Sequence, residues 1–138
     1  MVDRAERWVG DETRVPGPFA LVGSSRGGFI MAAASRRLAE AGRTARAVFL
    51  IAPAIFKERE GYPHAFRAPV AERTVIFHGH ADEVFPAETV WRFAARHGVE
   101  AHFLEDTHRM HASASFIARH MGDALAGMVG ADYTPRLS

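Results

Sequence analysis

The sequence predicts an α/β fold, with a parallel sheet of about four strands and helices on both faces. Three short runs are apolar on both alternating faces, as in strands that helices cover on each side: Phe19–Val22, Ala47–Ile51 and Thr74–Phe77. Val99–Leu104 is a fourth candidate, placed nearer an edge because it includes Glu100 and His102. Helical patterns separate these runs, and such alternation is typical of a parallel sheet. We therefore expect ligands to bind beyond the carboxyl ends of the strands.

Three amphipathic helices are predicted in Gly28–Ala41, Pro86–Gly98 and Ser113–Met128. In the first, Ile30, Ala34 and Ala41 belong to an apolar face that recurs at helical spacing. Pro86 stands where the start of a helix tolerates proline. The third helix is expected to bury Phe116 together with the other apolar residues of its face.

The composition is that of one ordinary globular domain. The chain has 138 residues, of which 48% are hydrophobic and 24% are charged, and its 17 basic and 16 acidic side chains give a net charge of +1. We expect a single domain over residues 1–138, with residues 1–18 as an N-terminal segment. Because the charges balance, the protein has no excess of positive charge that would attract nucleic acid, and its function is expected to depend on a specific site.

Membrane and secretory features are not expected from this sequence. The longest apolar stretch, Ala47–Phe56, is far shorter than the ~18 to 20 residues that span a bilayer. Met1–Gly10 carries charged residues where a signal peptide would need an apolar core, and the chain has no cysteine. We therefore expect a cytoplasmic protein without a membrane partner.

The most informative segment is Gly23–Gly27, which reads Gly-Ser-Ser-Arg-Gly and joins a predicted strand to a predicted helix. This Gly-x-Ser-x-Gly pattern is typical of a sharp turn that exposes a nucleophilic serine. Side chains at Gly23 and Gly27 are expected to collide where the backbone folds back. The turn would place Ser25 at the positive end of the helix and direct the amide N–H of Arg26 at a developing oxyanion.

A serine nucleophile needs a base, and the base needs an orienting carboxylate. Asp82 lies in the loop after the third predicted strand, and His108 lies in the loop after the fourth. We expect Asp82 to be the acid and His108 the base. Glu83 and His111 are the alternatives, but the side chain of Glu83 should point away, and His111 lies nearer the last helix, where a surface or capping role is expected.

Three segments carry a resemblance to a known family: Gly-Ser-Ser-Arg-Gly-Gly at 23–28, His-Gly-His-Ala-Asp-Glu-Val-Phe-Pro at 78–86 and Asp-Thr-His-Arg-Met at 106–110. With them the sequence resembles the α/β-hydrolase superfamily, and the last segment is similar to its small esterase and thioesterase-like branches. The resemblance covers most of the chain from Phe19 onward and implies the C-terminal part of that fold.

The resemblance also implies a reaction and the residues that perform it. The expected activity is hydrolysis of a small carboxylic ester or thioester through an acyl-enzyme, without cofactor or metal. By the same resemblance, Ser25 would be the nucleophile, Asp82 the acid, His108 the general base and Arg26 the donor of one oxyanion N–H.

The sequence departs from this family before the nucleophile strand. Only 18 residues, with one short helix at most, precede Phe19, where the family has several strands and a loop that gives the second oxyanion N–H. The strand Phe19–Val22 would then have a free apolar edge that invites association. We consider three explanations: an absent front half, a homo-oligomer formed through this edge, or cover by the N-terminal segment. Loss of one oxyanion donor costs about 10²- to 10³-fold in rate, so weak activity is expected.

Two other classes of function fit parts of the sequence. His78, His80 and Asp82 resemble part of a zinc-hydrolase signature, although Glu83 stands where that signature has a histidine. The other alternative is a catalytically weak or inactive binding protein that keeps the fold and the triad.

Overall fold

The computed structural model describes Arg4, Arg7, Asp11, Val15 and residues 17–55 and 66–129, so most of the N-terminal segment lies outside the described residues. The elements in chain order are β1 (Ala20–Ser24), α1 (Arg26–Glu40), β2 (Ala45–Ile51), β3 (Ala71–Gly79), α2 (Ala87–His97), β4 (Glu100–Leu104) and α3 (Ala114–Val129). Every predicted strand and helix between Phe19 and Met128 is present. The largest difference in bounds is at β3, which extends beyond Thr74–Phe77 at both ends.

The sheet has four parallel strands in the order β1-β2-β3-β4. Chain order and spatial order are therefore the same, and β1 and β4 form the two edges within the described residues. The predicted α/β class, the parallel sheet and the edge position of the fourth strand are confirmed. In a parallel sheet the carboxyl ends of all strands point to the same end of the sheet, so the loops after β1, β3 and β4 lie on the same side of the molecule.

Helices cover both faces of the sheet, as predicted. Alternate residues of the central strands point to opposite faces. On one face, Val48, Leu50 and Ile76 pack with α1 and α2. On the other face, Phe49 and Phe77 pack with α3. Full burial of such a side chain contributes about 1.5–3 kcal/mol, so these two layers hold the sheet in place.

Two residues that were predicted to be buried are exposed. Ala41 follows the end of α1 and lies at the surface, because the chain turns there and Gly42 adopts a φ of 89°. Phe116, in the first turn of α3, is 45% exposed, because the buried stripe of that helix runs through Ile117 and Ala124. Pro86 is the N-cap residue of α2, so this helix begins at Ala87, one position after the predicted start.

Candidate active site

Ser25 occupies a sharp turn between β1 and α1. Its φ of 53° lies in the left-handed region, which is costly for a residue with a side chain. Two backbone hydrogen bonds from neighbouring segments stabilise the turn: Ser25 N–H donates to Ile51 O at 2.8 Å, and Ala54 N–H donates to Ser25 O at 3.1 Å. The strained serine therefore lies at the carboxyl end of β1, and Arg26 next to it is the first residue of α1.

The two glycines that flank this turn have different roles. A Cβ at Gly23 would collide with the backbone carbonyl of Gly27, so Gly23 has to lack a side chain, as predicted. A Cβ at Gly27 would meet nothing within 4 Å. The expected collision at Gly27 is therefore wrong: what the turn needs there is the close approach of the Gly27 backbone to Gly23.

Asp82 lies in the loop after β3, and its side chain is fully buried. Its Oδ1 atom accepts hydrogen bonds from the N–H groups of Val84 at 2.8 Å and Phe85 at 2.7 Å. Burial raises the pKa of Asp82, but these hydrogen bonds and the one from His108 outweigh it and hold the pKa below its usual value. Asp82 is therefore a carboxylate at neutral pH, with one oxygen left to face the imidazole.

His108 connects the serine and the carboxylate. His108 Nδ1 lies 2.8 Å from Asp82 Oδ2, and His108 Nε2 lies 2.9 Å from Ser25 Oγ. A carboxylate oxygen only accepts, so Nδ1 carries the proton, and Nε2 of the neutral ring is then the acceptor for the serine hydroxyl. The structure thus brings Ser25, His108 and Asp82 into one hydrogen-bonded chain in which the proton acceptor faces the nucleophile.

The carboxylate of Asp106 holds both ends of the loop that carries His108. The sequence had not indicated a role for this residue. Asp106 Oδ1 accepts from Thr107 N–H at 2.8 Å, and Asp106 Oδ2 accepts from Ser113 N–H at 2.9 Å. Burial raises the pKa of Asp106, yet these hydrogen bonds hold it below its usual value. A negatively charged Asp106 therefore closes the loop between β4 and α3 at neutral pH.

Two further residues support this loop, and sequence reasoning also missed their roles. Met110 adopts a φ of 57° and places its side chain, 3% exposed, in the core between the sheet and α3. Gly79 lies so close to the loop that a Cβ would collide with the carbonyl oxygen of Asp106. In the sequence, the glycine between His78 and His80 was the one available sign that the backbone approaches another segment there. The residue that it approaches, Asp106, is remote in sequence.

The alternative acid and base lie elsewhere in the site. The expectation that the side chain of Glu83 points away is wrong: Glu83 Oε2 accepts a hydrogen bond of 3.3 Å from the backbone N–H of His108, so its carboxylate contacts the main chain of that residue. His111 is exposed at the surface before α3, as expected for it. The structure therefore places Asp82 and His108, and neither alternative, in the hydrogen-bonded chain with Ser25.

His78 lies next to the buried carboxylate of Asp82. It is completely buried, and its Nε2–H donates to Phe85 O at 2.8 Å while lying 3.4 Å from Asp82 Oδ2. Burial lowers the pKa of His78, with the Phe85 carbonyl and the charge of Asp82 acting in the opposite direction. His80 is exposed, and across the described part of the chain His78, His80 and Asp82 form no group of metal ligands. The geometry gives no support to the zinc alternative.

Similar structures have been solved for several hydrolases. A protein assigned to the alpha/beta hydrolase superfamily from Xanthomonas campestris pv. campestris is 27% identical, with a TM-score of 0.74 over 90% of this chain and 66% of that one. A thermophilic esterase from the planctomycete Thermogutta terrifontis is 19% identical, with a TM-score of 0.66 over 99% of this chain and 65% of that one. An esterase from Pyrococcus furiosus is 14% identical, with a TM-score of 0.67 over 94% of this chain and 62% of that one.

These similarities confirm the resemblance to the α/β-hydrolase superfamily, whose fold this chain shares. The chain spans between 62% and 66% of the length of these three proteins. No protein-family model matches the sequence. A comparison with curated proteins also finds no match. In the described residues, no helix is both long and apolar enough to cross a lipid bilayer.

Proposed function

We propose that this protein is a serine hydrolase that cleaves a small carboxylic ester or thioester through an acyl-enzyme. The observation that carries the proposal is the hydrogen-bonded chain from Ser25 Oγ through His108 to Asp82, with contacts of 2.9 and 2.8 Å. Its members come from the loops after β1, β3 and β4, where ligands bind in parallel sheets. The similarity to solved hydrolases and esterases supports the same class of reaction.

In the acylation step, Ser25 Oγ attacks the carbonyl carbon of the substrate while His108 Nε2 takes the hydroxyl proton. The imidazolium that forms is stabilised by Asp82, whose carboxylate lies 2.8 Å from Nδ1. His108 then gives the proton to the leaving oxygen or sulfur, so that an alcohol or thiol departs and the acyl group remains on Ser25. Water, deprotonated by His108, releases the carboxylic acid and restores the serine.

The tetrahedral intermediates carry a negative oxygen that needs hydrogen-bond donors. We assign the amide N–H of Arg26 to this role, because Arg26 follows the nucleophile and opens α1. The positive end of the helix dipole favours negative charge at this position. The backbone turn at Ser25 thus supplies both the nucleophile and one oxyanion donor.

We further propose that residues 1–138 act as one domain that self-associates through β1. This strand pairs only with β2 in the described sheet, and its Val22 side chain is 49% exposed. Pro18, just before the strand, has no N–H for a ladder, so the preceding segment is a poor substitute strand. A second copy of the chain, whose β1 is likewise an edge strand of the described sheet, is the occupant that we propose.

The catalytic proposal is tested by the hydrolysis of short p-nitrophenyl esters and thioesters. Ser25→Ala should reduce hydrolysis to the uncatalysed level, because it removes the nucleophilic oxygen. Ser24→Ala is the matched control and should keep most of the activity, since Ser24 is the exposed last residue of β1, directly before Ser25. Hydrolysis that survives in Ser25→Ala would contradict the assignment. An inactive wild-type protein that still binds esters would favour a binding protein instead.

A further inference from the structure

We infer that Glu100, His102 and His120 form a binding site for a divalent transition-metal cation such as Zn²⁺. Glu100 and His102 lie on β4, and His120 lies on α3. One ligand atom from each residue lies within 4.8 Å of the other two. This site uses none of the residues that are proposed to act on the substrate.

The geometry of β4 and α3 brings these side chains together. Glu100 and His102 are two positions apart on a strand, so both side chains point to the same face of the sheet. That face is the one covered by α3, because His102 stacks on Phe77 with ring centroids 5.5 Å apart and His120 meets the same ring edge-on at 5.3 Å. The two imidazole centroids are 4.4 Å apart.

The two histidines each leave a ring nitrogen without a partner. His102 Nε2 and His120 Nδ1 are inaccessible to solvent and have no hydrogen-bond partner in the described part of the chain. Buried polar atoms are rarely left unpaired, because their desolvation is then not compensated. A cation bound between these nitrogens would satisfy both of them at once.

A carboxylate supplies the third ligand and the negative charge. Glu100 Oε1 lies 3.8 Å from His102 Nε2, on the more exposed side of the cluster. Glu100 also accepts hydrogen bonds from Arg73 at 3.0 and 3.1 Å, but a carboxylate has about four lone-pair directions and can ligate a metal as well. Arg73 therefore orients the carboxylate from the neighbouring strand.

The chemistry of this donor set favours one group of metals. Two imidazole nitrogens and a carboxylate oxygen suit Zn²⁺ and its neighbours in the first transition row, whereas Mg²⁺ and Ca²⁺ prefer oxygen ligands alone. Zn–N bonds of about 2.0–2.1 Å place tetrahedral ligands about 3.3 Å apart, so the present separations have to close by at most about 1.5 Å.

A metal at this position would tie the edge strand β4 to α3. These two elements precede and follow the loop that carries His108. The bound cation is therefore expected to stabilise the folded chain and to leave Ser25 untouched. Because a ligand that binds only the folded state raises the melting temperature, stability reports binding independently of any hydrolysis.

Isothermal titration calorimetry of the chelator-treated protein with Zn²⁺ measures the affinity and the stoichiometry of binding and so tests the inference. We expect one Zn²⁺ per chain and a rise in the melting temperature. His102→Gln and His120→Gln should each weaken binding by more than about 100-fold, and Glu100→Gln by about 10- to 100-fold. His80→Gln, which removes an exposed histidine of the alternative cluster at 78–82, is the matched control and should bind Zn²⁺ like the wild type.

Folding of each variant is checked by circular dichroism in chelator, and Co²⁺ absorption gives a second readout of the ligand set. If the histidine variants do not fold, the exposed Glu100→Gln decides the question, because its side chain is not part of the core. A wild type that binds no Zn²⁺, equal affinity in the wild type and in the folded variants, or loss of binding in His80→Gln would each overturn the inference.

Discussion

Asp82 determines how the imidazole of His108 is oriented, because its Oδ2 atom accepts a hydrogen bond from the Nδ1–H group over an N···O distance of 2.8 Å. Asp82→Asn would present an amide that can donate to Nδ1 and so select the wrong tautomer. We expect this substitution to lower kcat for a p-nitrophenyl ester by about 10³- to 10⁴-fold. Glu83→Gln is the control, since Glu83 accepts a hydrogen bond from the backbone N–H of His108 and does not contact its ring nitrogens in any hydrogen bond of the described residues, and it should retain most of the activity. Equal losses in the two variants would argue against Asp82 as the orienting acid.

We expect His78 to make the stability of the fold depend on pH. Burial lowers its pKa from the ordinary value of 6.5, so the unfolded chain binds a proton in a range where the folded chain does not. The stability that this difference provides is present above pH 6.5 and is lost as the pH falls through the folded pKa. The lowered pKa of Asp82 also makes the fold less stable at low pH, but this loss begins only when the pH falls below 3.8, the ordinary pKa of an aspartate.

We therefore expect the free energy of unfolding to fall as the pH is lowered below 6.5, with a slope of at most about 1.4 kcal/mol per pH unit from His78. Urea unfolding of the wild type and of His78→Gln measures this contribution. The variant should show a flatter pH dependence, and His97→Gln, at an exposed histidine, should follow the wild type. Parallel curves for the wild type and His78→Gln would show that His78 is not the titrating group.

The turn between β1 and α1 makes opposite demands on its two glycines. Gly23→Ala should destabilise the protein by about 1–3 kcal/mol and reduce hydrolysis, because its Cβ would displace the backbone at Gly27. Gly27→Ala should be neutral or stabilising by up to about 1 kcal/mol, since its Cβ meets open space and alanine favours a helix. Thermal unfolding and ester hydrolysis of both variants test this pair. A Gly27→Ala protein that is as damaged as Gly23→Ala would show that the turn tolerates no side chain at either position.

The elements that support the site were predictable to different degrees. The strands and helices followed from apolar periodicity, and the positions of Ser25, Asp82 and His108 in loops on one side of the molecule followed because the carboxyl ends of parallel strands lie together. The catalytic roles of these three residues are a proposal. The contacts of Gly79 and Met110 were not predictable, because each depends on a neighbour that is remote in sequence. The grouping of His102 with His120 was missed for the same reason: it arises only when α3 packs on β4.

The position of β1 at the edge of the described sheet bears on the behaviour of the whole molecule. We expect the 138-residue chain to self-associate or aggregate, because β1 lies at the edge of the described sheet and Val22 is half exposed. Val22→Lys, which places a charge on this strand, should shift light scattering towards the monomer. Val22 does not belong to the proposed triad, so this substitution leaves all three triad residues in place. A wild type that is monomeric at all concentrations would contradict the association.

The same chain is expected to hydrolyse esters slowly. Sequence reasoning identified only one oxyanion donor, the amide of Arg26, and the loss of a second donor typically costs about 10²- to 10³-fold in rate. Steady-state hydrolysis of a short p-nitrophenyl ester measures this deficit. Rates that are normal for a good esterase, obtained with a well-ordered monomer, would require a second donor that has not been identified.

The central claim is that Ser25 is an activated nucleophile, and labelling with a fluorophosphonate tests it most directly. The pure protein is treated with the probe, and the modified residue is located by peptide mass spectrometry. We expect a single adduct on Ser25 Oγ, because this oxygen lies 2.9 Å from His108 Nε2, and we expect no adduct in Ser25→Ala. An adduct on another serine, labelling that persists in Ser25→Ala, or a folded wild type that takes up no probe would contradict the claim.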